Sequence, residues 1–499
     1  MRPFPVRSWA LAALSASLIC GASAALAAWS SDPAVNLVIA ERGGEETQAK
    51  ILPRADGGFY VSWFDNTDGG YDVRLQRLDA QGNALWAPGG ILVADRTYSS
   101  TTDYGFAVDT VGDALLSFQC CTQGAGDERI VVVKIDADGA PVWGAGGIAV
   151  STLGEGAVVS YVAAGADGSA LAAWMNDSGQ GRVQKLNAAG QPQWGATGAT
   201  GVTVPGPASG LKFMADIKGA GNGDAIVAWS NQSGSTRILR AQKFASADGA
   251  PLWGTDGVRV SDSGNLQAGY FPKIIPDDAG GAVFAYYDAS GVAFNVRVQH
   301  VDADGGRRFG ADGVLATTDT SKGHYSPSAT YDPVTGNTHL IWVDGTTINQ
   351  QSYDGLYAQR IDAGGVRIWN DGGRELVPMT ISTTGANALS QLVALPAPDG
   401  LLAAWVTGNT SVAANPITTV RLDALGAEIW PQRVSLKSRA NRTSRLAGAT
   451  SQAGYAAYVW SEGSGNDASG LDLLAQNLSY AGALGPTDPD LLFADGFEP

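Results

Sequence analysis

The chain has 499 residues, and 48 aspartates and glutamates outnumber 32 lysines and arginines to give a formal net charge of −16. An acidic surface repels phosphate groups, which argues against nucleic acid and anionic membranes as partners. Sixty-six glycines accompany 14 tryptophans, 15 tyrosines and 13 phenylalanines, and this aromatic content favours a folded, turn-rich β protein over a disordered chain. A chain of this length exceeds one ordinary core, so several domains or a repeat array are expected.

Residues 1–27 have the features of a secretory signal peptide. Arg2 and Arg7 precede a short apolar run, and small residues follow up to Ala27, which is the order of regions in an export signal. Cleavage after Ala27 places Trp29 near the new N-terminus. No later apolar stretch approaches the roughly 20 residues of a transmembrane helix. We therefore expect an exported protein without a membrane span, either extracellular or on the cell surface, with the periplasm as the alternative.

A glycine- and alanine-rich apolar strand that ends in an aromatic residue recurs eight times, at steps of 55 to 63 residues. The eight aromatic residues are Trp63, Phe118, Trp174, Trp229, Tyr286, Trp342, Trp405 and Trp460. The surrounding text, such as GGFYVSW and GDAIVAW, predicts a buried strand that begins after a glycine turn. Residues 28–485 are therefore predicted to form eight tandem repeats of about 55 residues.

A second aromatic residue stands four positions after a glycine in seven of the repeats, as in QRLDAQGNALW. These residues are Trp86, Trp143, Trp194, Trp253, Phe309, Trp369 and Trp430. The Asp or Asn before that glycine is typical of a tight turn. The eighth repeat has Pro486 at the corresponding position after Gly482. Trp29 and the apolar segment after it can supply the missing end, so the N-terminus is predicted to complete the last repeat.

This pattern predicts an all-β fold, a β-propeller of eight four-stranded blades closed by the N-terminal strand, because closure leaves no free sheet edge. Seven blades with one loosely attached repeat is the alternative. In a four-stranded meander, the links between strands 2 and 3 and the links between blades share one face. These links look long, as in CCTQGAGDER and DGTTINQQSYD, whereas the other links look like tight turns. We call this side the loop-rich face and expect ligand binding there.

A mostly polar residue stands two positions after each strand-2 aromatic residue, and we call these eight positions the polar ring. They are Asp65, Cys120, Asn176, Asn231, Asp288, Asp344, Thr407 and Glu462. Such side chains either cap the turn that leaves the strand or bind a polar ligand or a hard cation such as calcium. The candidate ligand-binding residues are Asp65, Asn176, Asn231, Asp288, Asp344 and Glu462. Tyrosines of the same face suit a sugar or protein partner, and they are Tyr71, Tyr98, Tyr104, Tyr270, Tyr325 and Tyr353.

Cys120 and Cys121 are the only cysteines after the predicted signal peptide. In an oxidising compartment they can bond to each other as a vicinal disulfide, bond to a second chain, or remain free. His300, His324 and His339 lack the spacing of a metal site or a catalytic triad. No catalytic, cofactor-binding or metal-binding residues are predicted. A pair of carboxylates from different blades, as used in glycoside hydrolysis, stays open because it has no sequence spacing.

The Leu-Asp-x-x-Gly motif followed by tryptophan resembles the blades of quinoprotein alcohol dehydrogenases. In that family a vicinal disulfide lies over the quinone, and Cys120 and Cys121 match this pair. The chain departs from the family in lacking the Thr-Gly pair before the blade tryptophan. Over residues 29–485 the repeat is more similar to secreted bacterial propeller proteins of largely uncharacterised function. Residues 486–499 form an acidic linker and tail, in which FADGFE resembles the DGFE-type tail of other secreted bacterial proteins.

The sequence thus predicts an exported, monomeric propeller that binds a carbohydrate or a protein without catalysis, or serves as a scaffold. The alternative is an extracytoplasmic enzyme, either a glycan hydrolase or lyase or a quinoprotein oxidoreductase.

Overall fold

The structure is a computed structural model that describes residues 28–101, 104–124, 126, 128–195, 201–207, 210–290, 293–408, 415–463 and 470–486. In these ranges 32 strands form eight antiparallel sheets of four strands each. The sheets are the blades of an eight-bladed β-propeller, which confirms the predicted fold and excludes seven blades. The predicted signal peptide and residues 487–499 of the tail lie outside the described residues, so both stay predictions.

Blades 1 to 4 each take four consecutive strands. Blade 1 contains β2 (Glu46–Pro53), β3 (Phe59–Asp65), β4 (Asp72–Leu78) and β5 (Ile91–Ala94). Blade 2 contains β6 (Gly105–Val108), β7 (Ala114–Cys120), β8 (Arg129–Ile135) and β9 (Ile148–Ala149). Blade 3 contains β10 (Val158–Ala164), β11 (Ala170–Met175), β12 (Gly181–Leu186) and β13 (Val202–Thr203). Blade 4 contains β14 (Leu211–Gly219), β15 (Ala225–Ser233), β16 (Thr236–Phe244) and β17 (Val258–Arg259).

Blades 5 to 7 continue this order, and blade 8 takes its fourth strand from the N-terminus. Blade 5 contains β18 (Ile274–Pro276), β19 (Ala282–Ser290), β20 (Ala293–Val301) and β21 (Val314–Leu315). Blade 6 contains β22 (Gly323–Asp332), β23 (Asn337–Ile348), β24 (Gln351–Ile361) and β25 (Arg374–Ile381). Blade 7 contains β26 (Leu389–Ala397), β27 (Gly400–Thr407), β28 (Ile417–Leu422) and β29 (Val434–Ser435). Blade 8 contains β30 (Arg442–Thr450), β31 (Tyr455–Gly463), β32 (Asp472–Ser479) and β1 (Leu37–Ala40).

The ring closes at blade 8, as the sequence predicts. Strand β1 pairs antiparallel with β32, with Leu37 opposite Ala475 and Val38 opposite Leu474. The first strand of each blade lies nearest the axis, because the first strands of neighbouring blades contact one another all the way round, including β30 with β2. Closure gives every blade two neighbours and leaves no blade with an uncovered face.

The second strands form the buried centre of the blades. All seven residues of β3 are buried, and so are the first seven residues of β15. A blade lies between two other blades, so both faces of its middle strands lose contact with water and the apolar run is continuous instead of alternating. This explains the repeated glycine- and alanine-rich text that ends in an aromatic residue.

The second aromatic residue of each repeat joins one blade to the next, and we call this contact the outer joint. Trp253 packs on the turn glycine Gly305 of the following blade, where a Cβ would lie 2.9 Å from the indole ring. Its Nε1 donates a hydrogen bond to the carbonyl oxygen of Ala303 at 3.0 Å. Trp29 makes the same contact with Gly82 and donates to Ala80 at 3.1 Å. The N-terminal tryptophan therefore replaces the one that the eighth repeat lacks.

A buried glutamine on the third strand supports the outer joint in six of the eight blades, and a valine takes its place in blades 2 and 7. Gln242 accepts a hydrogen bond from the main-chain N–H of Trp253 at 2.7 Å and donates to the carbonyl of Gly254 at 2.7 Å. The glutamine that begins the QRLD-type text thus satisfies the backbone around the joint, since a buried peptide group needs a partner. The sequence predicts a tight turn between strands 3 and 4 of each blade, and this prediction is wrong. The link is longer because it contains the outer joint, in which a residue after the turn pairs with the end of the third strand, as Ala84 does with Leu78.

No helix in the described ranges is long and apolar enough to cross a membrane.

Candidate functional site

The structure brings the eight residues of the polar ring to equivalent places at the loop-rich ends of the second strands. All of them except Thr407 are buried. The ring therefore exists as predicted, but it lies beneath the surface. Ligand binding by residues of the polar ring stays a prediction. The contacts of each side chain determine whether a ligand could reach that side chain.

Asp65 in blade 1 is held by two arginines. Its Oδ2 lies 2.6 Å from Nε of Arg42 and 2.7 Å from Nε of Arg74, and the side chain is 1% exposed. Its other oxygen accepts hydrogen bonds from the main-chain N–H and the hydroxyl of Thr67. Both the turn-capping role and charge neutralisation are thus met inside the chain.

Asp344 in blade 6 forms the most connected group of the ring. Its Oδ1 accepts from Nδ1 of His324 at 2.5 Å and from the indole Nε1 of Trp342 at 2.6 Å. The other imidazole nitrogen of His324 faces the carbonyl oxygen of Asp319 at 2.7 Å. Two acceptors require two donors, so this imidazole carries both protons. Burial by itself would lower the pKa of His324, but Asp344 outweighs burial and the pKa is raised.

Glu462 in blade 8 pairs with Lys437 and Arg439, at 3.2 and 3.1 Å. It also accepts from the indole Nε1 of Trp460 at 2.8 Å. Lys437 is fully buried, and this burial lowers its pKa despite the neighbouring carboxylate of Glu462. Separating such a pair would leave a buried charge without compensation.

Three other ring residues use simpler arrangements. Asp288 in blade 5 pairs with Nε of Arg297 at 3.2 Å. Asn176 in blade 3 caps the turn after its strand by accepting from the main-chain N–H of Gln180 at 2.9 Å. Asn231 in blade 4 differs from all of these, because its Oδ1 is buried without a hydrogen-bond partner.

Cys120 is the last residue of β7 and Cys121 follows it, and the structure pairs them as a disulfide between adjacent residues. The main-chain oxygen of Cys121 accepts from the N–H of Thr97 at 3.0 Å in the preceding link. The redox state in solution stays a prediction. In the described ranges no group of three or more His, Cys, Asp or Glu side chains could hold a metal ion, so calcium at the ring gains no support from this geometry.

The tyrosines predicted for the loop-rich face divide into two sets. Tyr98 and Tyr104 are 5% and 0% exposed, so the prediction that they serve as contact residues is wrong. They pack instead under neighbouring cations, with Arg96 over Tyr98 and Lys50 over Tyr104. The others are partly exposed, namely Tyr71, Tyr270, Tyr325 and Tyr353.

Blade 6 breaks the regularity of the face. The text DGTTINQQSYD, predicted as a long loop, is instead the end of a hairpin in which β23 runs to Ile348 and β24 starts at Gln351. The turn residues Asn349 and Gln350 both have positive φ, +51° and +65°, as a two-residue hairpin turn requires. Strand β23 continues four residues past Asp344, which is about 13 Å at roughly 3.3 Å per residue. We call residues 345–354 the blade-6 hairpin.

The blade-6 hairpin carries apolar side chains into solvent. Ile348 is 52% exposed, and Ile381 on the neighbouring strand β25 is 40% exposed. Tyr353 lies between them in the sheet, opposite Ile381 and Thr346. Sequence reasoning missed this feature because Thr, Asn, Gln and Ser in a row are typical of loops. The signal that could have found it is the β-branched pair of threonines beside Ile348.

A second feature without a sequence signal lies on the first strands around the axis. Five residues that are not glycine have positive φ there, and all five stand where the strand register shifts. They are Gln48, Val159, Ser326, Gln391 and Arg445, with φ between +50° and +56°. Such bulges re-aim side chains, and Ser326, Gln391 and Arg445 are exposed. Without a glycine at these positions, nothing in the sequence marks them.

The fold and the ring define a closed eight-bladed β-propeller with a buried polar circle on one face. No protein-family model and no curated protein matches the chain. A similar solved structure is the BP39L lectin from Burkholderia pseudomallei, at 13% identity and a TM-score of 0.45, with 90% of this chain and 99% of that chain covered.

Two further solved structures are similar over most of the chain. A protein of unknown function from Dyadobacter fermentans has 10% identity and a TM-score of 0.36, with 88% of this chain and 96% of that one covered. The Dos1 propeller has 12% identity and a TM-score of 0.40, with 89% and 95% covered. At these identities and scores, the likeness carries no inference about what this chain binds.

Proposed function

We propose that this protein is an exported, non-catalytic propeller that binds a carbohydrate or a protein on its loop-rich face. The observation that carries the proposal is the blade-6 hairpin. Strand β23 extends about 13 Å beyond the ring position of blade 6, at roughly 3.3 Å per residue. Closing the ring does not require this extension. The hairpin presents Ile348 and Tyr353, and Ile381 of β25 lies next to Tyr353, beside hydroxyl and amide side chains. This mixture suits contact with a sugar or a protein surface.

The ion pairs of the polar ring support the non-catalytic part of the proposal. General acid–base chemistry needs a carboxyl or carboxylate that can approach the reacting atoms and exchange a proton. Asp65, Asp344 and Glu462 are instead buried and neutralised by cations of the same chain. Their arrangement stabilises the ends of the second strands, so it needs no catalytic role to explain it.

The first test is binding of the purified protein, residues 28–499, to an array of immobilised glycans in calcium and in EDTA. The same glycans are assayed in solution for the release of reducing ends. We expect saturable binding to at least one glycan and no release of product. Product release that disappears in Asp65→Asn and Asp344→Asn would contradict the proposal and favour the enzyme alternative.

Two variants locate the binding surface. Tyr353→Ala and Ile348→Ser remove contact area from the blade-6 hairpin, and we expect each to weaken binding about tenfold. Val334→Ser is the matched control, because Val334 is 92% exposed in the turn at the opposite end of the same blade. Equal losses in all three variants would show that the hairpin is not the contact surface. Blank arrays would exclude carbohydrate as the ligand and leave a protein as the ligand. Binding of a protein partner would then be compared between the unchanged protein and the same hairpin variants.

A further inference from the structure

Blade 4 has a cation beside its polar-ring position but lacks the ring carboxylate that pairs with a cation in blades 1, 5, 6 and 8. Lys212 on β14 lies opposite Asn231 on β15, in the same register in which His324 lies opposite Asp344 in blade 6. The cation of blade 6 faces a carboxylate at 2.5 Å. The cation of blade 4 faces a neutral amide.

The ammonium group of Lys212 has no counter-charge among the described residues. The residue is 8% exposed, and its side chain forms no hydrogen bond or ion pair in the described part of the chain. Burial lowers the pKa of Lys212, and the positive charge of Arg240 lowers it further. A buried cation without a partner is costly, so the site is set up to accept negative charge.

The arginine on the third strand of blade 4 also forms no ion pair with a carboxylate among the described residues. In three blades the arginine opposite the strand-2 aromatic residue pairs with a carboxylate. The pairs are Arg74 with Asp65 at 2.7 Å, Arg182 with Glu155 at 3.6 Å, and Arg297 with Asp288 at 3.2 Å. Arg240 holds this position in blade 4, opposite Trp229. Among the described residues it forms no ion pair and donates to the main-chain carbonyl of Asp256 at 3.0 Å, while the nearby carboxylate of Asp256 partly offsets the lowering of its pKa by burial.

The indole of Trp229 adds an unused hydrogen-bond donor. Trp229 is fully buried, and its Nε1 has no hydrogen-bond partner among the described residues. In blades 6 and 8 the equivalent indole donates to the ring carboxylate, Trp342 to Asp344 at 2.6 Å and Trp460 to Glu462 at 2.8 Å. In blade 1 the indole nitrogen of the equivalent tryptophan also has no partner, but the ring carboxylate there is taken by two arginines.

We propose that blade 4 binds the carboxylate group of an acidic sugar, such as a uronic acid, beside the amide of Asn231, which holds the position of the ring carboxylate. Lys212 and Arg240 supply the positive charge, and Nε1 of Trp229 donates a hydrogen bond. Gly206 forms the facing wall, where a Cβ would lie 3.2 Å from Cε of Lys212 and 3.6 Å from the Trp229 ring. In this arrangement the carboxylate contacts Lys212, and the sugar ring stays on the loop-rich face. The site deepens the proposed function and rests on it only for the ligand being a carbohydrate.

The test is the thermal unfolding midpoint of residues 28–499, titrated at constant ionic strength with sodium glucuronate, sodium acetate, sodium sulfate or glucose. A ligand that binds only the folded state raises the midpoint in a saturable way. We expect glucuronate to act at a concentration at least tenfold lower than acetate, and glucose to have no effect.

Three variants assign the response to blade 4. Asn231→Asp supplies the internal carboxylate with almost no change of shape, so we expect a higher midpoint without ligand and no response to glucuronate. Lys212→Met removes the charge and should also lose the response. Asn187→Asp is the matched control, because it adds the same charge in an exposed turn of blade 3 where Asn187 accepts from the main-chain N–H of Gln191, and it should respond like the unchanged protein. If Lys212→Met does not fold, Asn231→Asp alone decides.

Three results would overturn the proposal. An undiminished glucuronate response in Asn231→Asp would remove the site from blade 4. A response to sulfate alone would reject a carboxylate ligand. Equal effects of acetate and glucuronate would reject an acidic sugar as its source. Because this titration does not involve the blade-6 hairpin, its failure is distinguishable from blank glycan arrays, which test the proposed function.

Discussion

Two circles of residues run through this propeller and differ in how strictly they repeat. The outer joint uses the same contact between every pair of blades, an aromatic ring on a turn glycine. The polar ring keeps its position in every blade but changes its chemistry, from a carboxylate between arginines at Asp65 to an unpaired amide at Asn231.

The physical demands on the two circles explain the difference. Each blade must pack on the next at nearly the same distance, so the outer joint tolerates little variation in side-chain size. The polar ring needs only that each buried charge has a partner, and the partner can come from the strand, the following turn or a neighbouring link. Where a position can vary without unfolding the ring, it can also acquire a binding role.

The largest effect is expected from removing an outer joint. Trp253→Ala deletes a buried ring between blades 4 and 5 and should lower the free energy of unfolding by about 4 kcal/mol. Trp253→Phe keeps an aromatic ring, as Phe309 does naturally, and loses mainly the hydrogen bond to Ala303, so about 1 kcal/mol is expected. Urea unfolding of both variants checks the values. Equal losses would mean that the hydrogen bond, and not packing, holds the joint.

The polar ring should respond more weakly, at about 3 kcal/mol for its best-buried pair. Glu462→Gln leaves Lys437 fully buried without its carboxylate. The matched control is Glu428→Gln, which removes a half-exposed pair with Arg433 and should cost less than about 1 kcal/mol. Urea unfolding at neutral pH measures both. A similar small loss in the two variants would show that the ring pairs contribute no more than surface pairs.

Two histidines of blade 6 should give opposite pH dependence. His339 is buried, and this burial together with Arg360 lowers its pKa to about 4. The unfolded chain then binds a proton that the folded chain does not, so stability falls between about pH 6.5 and pH 4, by roughly 3 kcal/mol. His324 has a raised pKa, so its contribution is complete below about pH 6.5 and is lost as the pH rises through the raised value.

Unfolding of His339→Gln and His324→Gln across this pH range tests the pair. The first variant should lose less stability on acidification than the unchanged protein, and the second should lose less on going above neutral pH. Curves parallel to that of the unchanged protein would remove both histidines as the source of its pH dependence.

The smallest effect separates backbone strain from contact at the outer joint. Gly305 and Gly310 both have positive φ, +86° and +72°. A Cβ at Gly305 would meet the ring of Trp253 at 2.9 Å, whereas a Cβ at Gly310 would meet nothing within 4 Å. Both alanine variants should cost about 1 kcal/mol for the backbone, and Gly305→Ala about 1 kcal/mol more for the displaced ring. Equal melting temperatures for the two variants would argue against a tight joint.

Most of the fold was predictable because contacts that recur from blade to blade require similar residues at equivalent positions of the repeats. The aromatic residues and turn glycines occupy equivalent places in the repeats, a third-strand glutamine does so in six of them, and the missing tryptophan of the eighth repeat directed attention to Trp29. The polar ring was predictable as a set of positions, since each lies two residues after an aromatic residue. Its ion pairs were not predictable, because Arg42, His324 and Lys437 come from links and first strands that have no fixed spacing to the ring.

The sequence by itself determined eight blades, the closure by the N-terminal strand and the face on which the long links lie, because short-range turn and strand patterns recur along the chain. Only the tertiary structure decided that the ring is buried, that DGTTINQQSYD extends a hairpin, and that Lys212 faces Asn231 instead of a carboxylate. Burial and charge pairing depend on which residues of distant segments meet in space. The local sequence does not contain that information.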